Sequence, residues 1–231
     1  IHEIGHALGL KHPFDEPNTE GKIAPPPYLQ GAEDNAEWTQ MSYTGSVKKI
    51  ALSALDIAAL QYVYGVNPVT RADNDTYYYS STAANFIWDG AGTDTIDAYA
   101  ATNKVSIYLE PGYWGFGGDA KAGTITENGQ ITVNFGTVIE NLKGSSYADS
   151  LYGNSSDNTI SGYAGNDIIY GGAGADKLDR IGRQGNDELH GGLGNDTYYV
   201  YSDSGSDVFV EKVGEGIDTV FTSKSYSLSG I

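Results

Sequence analysis

The chain has 231 residues, 39% of them hydrophobic and 12% aromatic, enough for one large or two modest cores. Its formal charge is −17, from 30 Asp+Glu against 13 Lys+Arg, and no basic stretch is present to follow a phosphate backbone, which argues against nucleic acid as a partner. There is no cysteine, hence no disulfide or thiolate metal site, and the most apolar window, residues 50–66, contains Ser53, Asp56 and Gln61, too polar for a membrane span.

With 31 Gly and 18 Tyr in the same chain, the acidity reads as organised around cations, calcium first, rather than as disorder. The first element is IHEIGHALGLKHP, residues 1–13. His2 and His6 are four apart, which on a helix puts both imidazoles on one face, placed to share an ion. Glu3 is rotated by about 100° from His2, within reach of a metal-bound water. His12 lies about 240° round from His6 if the helix continues. Gly9 is placed to end it, and Pro13 biases His12 towards extended backbone. Three histidines then converge with a fourth position open, as a catalytic zinc requires: bound water is acidified, Glu3 takes the proton, and the expected reaction is amide hydrolysis.

Residues 13–38 read as a long polar loop stiffened by Pro25, Pro26 and Pro27. Met41 follows in QMSYTG, with Tyr43 two residues on. A helix is expected over residues 52–68, with Ser53 and Asp56 as capping box, Gly65 as C-cap and Pro68 beyond. Its apolar stripe is Leu52, Leu55, Ala59, Leu60 and Val63.

HExxHxxGxxH followed by a methionine turn matches the metzincin signature, and with Met41 and Tyr43 the sequence resembles the serralysin-like metalloproteases. The resemblance implies zinc held by His2, His6 and His12, a floor formed by the Met41 turn, and Tyr43 as a further zinc ligand or oxyanion stabiliser.

Residues 87–100, IWDGAGTDTIDAYA, carry an acidic glycine turn with Asp94 in the acidic place. Segments NKVSIYLEPGYWGF and GQITVNFGTVIENLKGS then alternate apolar and polar residues, as strands do. From residue 144 a nine-residue pattern repeats. Its sixth positions are Asp149, Asn158, Asp167, Asp176, Asp187 and Asp196; its eighth are Leu151, Ile160, Ile169, Leu178, Leu189 and Tyr198. Turn carbonyls and a carboxylate suit a hard cation, while one inward side chain per short strand builds a core. Weaker copies place Asp207 with Phe209 and Asp218 with Val220. Spacer pairs at 180–181, 200–201 and 211–212 read as lengthened strands, with a bulged loop at Arg180 and Ile181 as the rival.

The repeat resembles the calcium-binding nonapeptides of RTX β-rolls. The resemblance implies several calcium ions, with ligands from Asp89, Gly92 and Asp94 at the junction and from Asp149, Gly165, Asp167, Gly174, Asp176, Gly185, Asp187, Gly194 and Asp196 in the roll. Asp149 would pair with Asp167, Asp167 with Asp187, and Asp176 with Asp196. Asn158 and the glycine-poor turns at 144–161 make the first sites the least secure.

The expected fold is the α+β C-terminal part of a metzincin catalytic domain (1–68), a junction and strand region (69–143), an all-β parallel roll (144–221) and a continuation (222–231). The expected activity is that of a secreted, extracellular, calcium-dependent zinc endopeptidase acting on protein or peptide, its parent exported by type I secretion machinery. A non-catalytic calcium-binding adhesion or scaffold module is the alternative. The sheet and helices that a metzincin places before its zinc helix do not precede Ile1, so the chain reads as a fragment, feebly active or inactive alone.

Overall fold

The computed structural model describes residues 2–8, 10, 38, 39, 41, 52–179, 185–200 and 206–223. The chain divides into two compact units, residues 1–66 and 67–231.

In the first unit, α1 (His2–Ala7) is the short helix of the histidine string. Beyond it the Leu10 N–H returns to the Gly5 carbonyl at 3.0 Å, a six-to-one bond of the kind that closes a helix. Gly9 itself lies outside the described residues. Helix α2 (Ala54–Tyr64) starts where its cap predicts: Ser53 is extended, and its N–H donates to Asp56 Oδ2 at 2.9 Å. It stops at Gly65, whose positive φ of 78° suits glycine and whose N–H caps the Gln61 carbonyl at 2.9 Å. The expected apolar stripe is not its buried face. Ala59 and Val63 are exposed, and the buried residue is Asp56, because its carboxylate is committed to Ser53 and to the Thr39 hydroxyl.

The second unit contains fifteen described strands. The first seven are β1 (Thr76–Tyr78), β2 (Asn85–Ile87), β3 (Thr95–Asp97), β4 (Val105–Tyr108), β5 (Gly115–Gly117), β6 (Gln130–Val133) and β7 (Asn141–Lys143). The roll continues as β8 (Ser150–Tyr152), β9 (Thr159–Ser161), β10 (Ile168–Ala173), β11 (Lys177–Asp179), β12 (Glu188–Leu193), β13 (Thr197–Val200), β14 (Val208–Val210) and β15 (Thr219–Thr222). Successive repeats alternate between two sheets. One has the order β1-β3-β7-β9-β11-β13-β15, and the other β14-β12-β10-β8-β4-β5-β6-β2. Pairing is parallel except around β5, whose antiparallel bonds to β4 and β6 make an inserted strand pair between β4 and β2.

Registers stack the eighth positions. Leu142, Ile160, Leu178, Tyr198 and Val220 align across one sheet, and Ile107, Leu151, Ile169, Leu189 and Phe209 across the other. From Leu142 to Tyr198 and from Ile107 to Leu189 every one is at most 1% exposed. Each strand is too short to bury a face alone, so the core is a column of single side chains closed by the opposite sheet. On the outer face of the second sheet the rings of Tyr108, Tyr152, Tyr170 and His190 stack at 4.3, 5.1 and 4.2 Å.

The spacer residues Glu211 and Lys212 do not lengthen a strand: β14 ends at Val210, and Lys212 starts a turn in which its N–H donates to Glu215 Oε2 at 2.8 Å. Val200 does extend β13, pairing with Thr222. The Arg180–Ile181 pair lies outside the described residues.

Candidate metal centres

On α1 the His2 and His6 rings meet edge to face at 4.9 Å between centroids, as the four-residue spacing requires. His6 Nδ1 lies 3.0 Å from the Leu10 carbonyl. A carbonyl only accepts, so Nδ1 carries the proton in that bond, and the neutral ring's lone pair sits on Nε2 with its orientation fixed by the helix end. Glu3 is on the same helix, its side chain outside the described residues, where His12 and Tyr43 also lie.

Met41 is 2% exposed, and a Cβ on Gly5 would run into its Sδ. Glycine at position 5 is thus what lets α1 settle on the methionine. Met41 is held from behind: its N–H donates to Thr39 Oγ1 at 3.0 Å, and that hydroxyl donates to Asp56 Oδ1 at 2.5 Å. The Tyr64 hydroxyl donates to the Leu8 carbonyl at 2.8 Å, tying the end of α2 to the end of α1.

The sixth positions of the roll form two ladders. Along one, the N–H groups of Asp149, Asp167 and Asp187 donate to Oδ1 of Asp167, Asp187 and Asp207 at 2.8, 2.9 and 3.1 Å. Along the other, Asn158, Asp176 and Asp196 donate to Oδ1 of Asp176, Asp196 and Asp218 at 2.7, 2.8 and 2.9 Å. The pairs Asp149–Asp167, Asp167–Asp187 and Asp176–Asp196 are therefore all brought together. Gly92, Gly165, Gly174, Gly185 and Gly194 all have positive φ, between 115° and 148°. At Gly194 a Cβ would strike the Gly174 carbonyl, so side chains are excluded where successive turns stack.

With one oxygen of each aspartate used by the ladder, the other is left to the turn. Oδ2 of Asp94, Asp176 and Asp196 is buried without a hydrogen-bond partner, and these residues are at most 1% exposed. An unpaired buried carboxylate oxygen is costly unless a cation meets it. The effect on acidity follows. Burial pushes the Asp176 carboxyl up to about 7 against its N–H bond from Asn158, with the charges of Asp196 and Asp157 adding to the rise. Burial raises Asp94 to about 6 despite the N–H of Asp75, and Asp89, Glu140 and Asp75 add to it. Burial likewise raises Asp149 and Asp196. Such an arrangement suits a hard divalent cation bound through oxygen.

Two positions differ. Asp149 is engaged on both oxygens: Oδ1 accepts from Val105 N–H and Ser145 Oγ at 2.8 Å each, and Oδ2 accepts from Ser145 N–H at 2.5 Å. Asn158 places its own amide in the turn, donating to the Glu140 carbonyl at 3.3 Å and to Asn154 Oδ1 at 3.1 Å. An N–H donor there stands where an acidic turn offers an acceptor. Asp89, buried at 1% exposure, accepts from the Tyr77 hydroxyl and from Ala91 N–H.

The sequence reading missed the earlier rungs. Asp75 and Glu140 belong to the second ladder: Asp75 N–H donates to Asp94 Oδ1, and Asp94 N–H to Glu140 Oε2, both at 2.8 Å. The signal available was an acid two residues before an inward apolar side chain, Asp75 before Tyr77 and Glu140 before Leu142, obscured by the inserted strands that break the nine-residue period.

The RTX calcium-binding nonapeptide repeat family matches residues 72–105, 143–178 and 181–209. Among curated proteins the chain is 37% identical to Serralysin B of Dickeya chrysanthemi over 65% of its length and 34% of that protein's. It is 37% identical to Serralysin of Proteus mirabilis over 67% and 34% of the two chains, and 35% identical to Metallopeptidase AprA of Pseudomonas marginalis over 66% and 36%. The chain spans about a third of the length of these relatives. Over about two thirds of its own length this chain is similar to the serralysin metalloproteases, and its second unit matches the RTX calcium-binding nonapeptide repeat family.

Proposed function

We propose that the chain comes from a secreted zinc endopeptidase of metzincin type whose roll is stabilised by calcium. The observation that carries the peptidase reading is the pairing of His2 and His6 on one turn of α1, with Met41 packed beneath Gly5 of that helix. His2, His6 and His12 are the zinc ligands of this reading, and Tyr43 is a ligand or oxyanion stabiliser. Zinc supplies an acidified water and polarises the scissile carbonyl when bound. Glu3 would be the residue to accept a proton from that water, and the Leu10 carbonyl keeps the His6 proton on Nδ1.

For calcium, the buried Oδ2 atoms of Asp94, Asp176 and Asp196 support the assignment. Asp167 and Asp187 occupy the same place on the other ladder, with Gly92, Gly165, Gly174, Gly185 and Gly194 supplying carbonyls. Asp149, already engaged by Ser145 and Val105, and Asp89, engaged by Tyr77 and Ala91, are the weaker members. Residues 1–68 belong to the catalytic part in this reading, 69–143 to the junction and 144–221 to the repeats. Protein or peptide is the substrate, and type I secretion the export route of the whole protein. No helix among the described residues is long and apolar enough to cross a membrane.

The test is zinc stoichiometry together with casein hydrolysis. The chain should bind one zinc ion, lose it in His2→Ala, His6→Ala and His12→Ala, and retain it in Glu3→Gln. Any caseinolysis must disappear in Glu3→Gln; activity persisting in that variant, or zinc unaffected by the histidine changes, would overturn the assignment.

A further inference from the structure

At the far end of the second ladder the turn between Asp196 and Asp218 is built differently. The residue two places after Asp196, in the inward column filled by Leu142, Ile160 and Leu178, is Tyr198. It is 1% exposed, so its hydroxyl needs partners inside the protein. It accepts from Gly191 N–H at 2.7 Å and donates to Glu211 Oε1. That bond draws Glu211, one of the two spacer residues, into the turn.

A carboxylate oxygen from each of Asp196, Glu211 and Asp218 then lies within 4.8 Å of the others. The second oxygens of Asp196 and Glu211 are both buried with no hydrogen-bond partner. Among the described residues no basic side chain pairs with the three: nearby Lys212 is engaged by Glu215 at 3.3 Å. Three converging carboxylates are destabilised by mutual repulsion unless a cation is present, and for oxygen sites the ligand charge count is the main setting of calcium affinity.

We propose that Asp196, Glu211 and Asp218 form a three-carboxylate cation site, with Glu211 as a ligand outside the nine-residue repeat, and that this site fills before the glycine turns. The inference deepens the calcium reading of the roll and rests on it. Tyr198 is a positioning residue: it holds Glu211 by one oxygen and leaves the other to the ion. A hard trivalent ion should favour such a site still more than calcium does.

Titration of the 231-residue chain with terbium, read as tyrosine-sensitised luminescence and as total bound metal, tests this. The first equivalent should sensitise through Tyr198. Glu211→Gln should weaken that equivalent by about tenfold or more and leave the later ones in place, and Asp218→Asn should weaken the same equivalent. Tyr198→Phe, which releases Glu211 from its hydrogen bond, should both weaken the first equivalent and lose most of its sensitised emission. Asp119→Asn, which removes an exposed carboxylate paired with Lys104, should leave the first equivalent unchanged. A wild-type first equivalent in both Glu211→Gln and Asp218→Asn overturns the inference while the repeat sites stand. A wild-type chain that binds no terbium or calcium at all overturns the calcium reading itself.

Discussion

The main-chain N–H of Asp176 donates to Oδ1 of Asp196 at 2.8 Å, while Oδ2 of both aspartates stays buried without a hydrogen-bond partner. One bond thus ties consecutive coils and at the same time leaves a buried carboxylate oxygen in each turn without a hydrogen-bond partner.

Replacing Asp176 by Asn keeps an oxygen for the Asn158 N–H and removes the buried charge. In calcium-free buffer at pH 7 Asp176→Asn should melt above the wild type; in saturating calcium it should melt below. For a site at a calcium concentration a hundred times its dissociation constant, the stabilisation at stake is about 2.7 kcal/mol. Paired thermal melts with and without calcium check this, and an unchanged order between the two conditions contradicts it.

The acidity of the same groups sets a pH dependence. Folding raises Asp94 to about 6 and Asp176 to about 7 from a usual value of 3.8. The calcium-free folded state therefore holds these protons more tightly than the unfolded chain. That stability is fully present below about pH 4 and is lost as the pH rises through about 6 to 7. Urea unfolding of resin-stripped protein should show the midpoint falling from pH 4 to pH 8, and added calcium should remove most of the fall. A midpoint that rises over this range in the stripped protein is incompatible with the carboxylates described.

Gly171 has an open backbone conformation but no room: a Cβ there would meet Asp176 Oδ2 and stand 2.6 Å from the Gly191 carbonyl. Gly171→Ala should push the Asp176 carboxylate out of its turn, costing about 1–3 kcal/mol in calcium and weakening one calcium equivalent in isothermal titration. Gly123→Ala, which meets only the end of the Glu127 side chain at 3.1 Å, should change neither. Equal effects from the two substitutions would argue for a general glycine penalty instead of a crowded turn.

In the first unit, Asp56→Ala strips the acceptor from both Ser53 N–H and the Thr39 hydroxyl. Each buried group left unpaired costs about 1–3 kcal/mol, and Met41 loses its support through Thr39. Zinc affinity should fall in Asp56→Ala and recover substantially in Asp56→Asn, which keeps the Thr39 acceptor. Zinc binding equal to wild type in Asp56→Ala would show that Met41 is positioned without this chain of bonds.

The readable parts of the sequence were those whose signals are local. The cap at Ser53 and Asp56, the stop at Gly65, the histidine pair on one helical face and the inward residues from Leu151 to Tyr198 each follow from periodicity or turn chemistry within a few residues. Where the signal was nonlocal, the reading went astray: Asp56 takes the burial expected of the apolar stripe because Thr39, 17 residues away, supplies its partner.

The sequence by itself determined that the second unit is a repeat of acidic glycine turns and single inward side chains, because strand alternation and positive-φ turns are properties of adjacent residues. Only the tertiary structure decided which rungs meet, at separations of 18, 20 and 22 residues, since those bonds depend on how each coil closes. It alone separated Asp149 and Asn158, satisfied by their own surroundings, from Asp176 and Asp196, which are not. It also brought Glu211 from a spacer into the last turn, through a hydrogen bond from Tyr198 that no repeat period encodes.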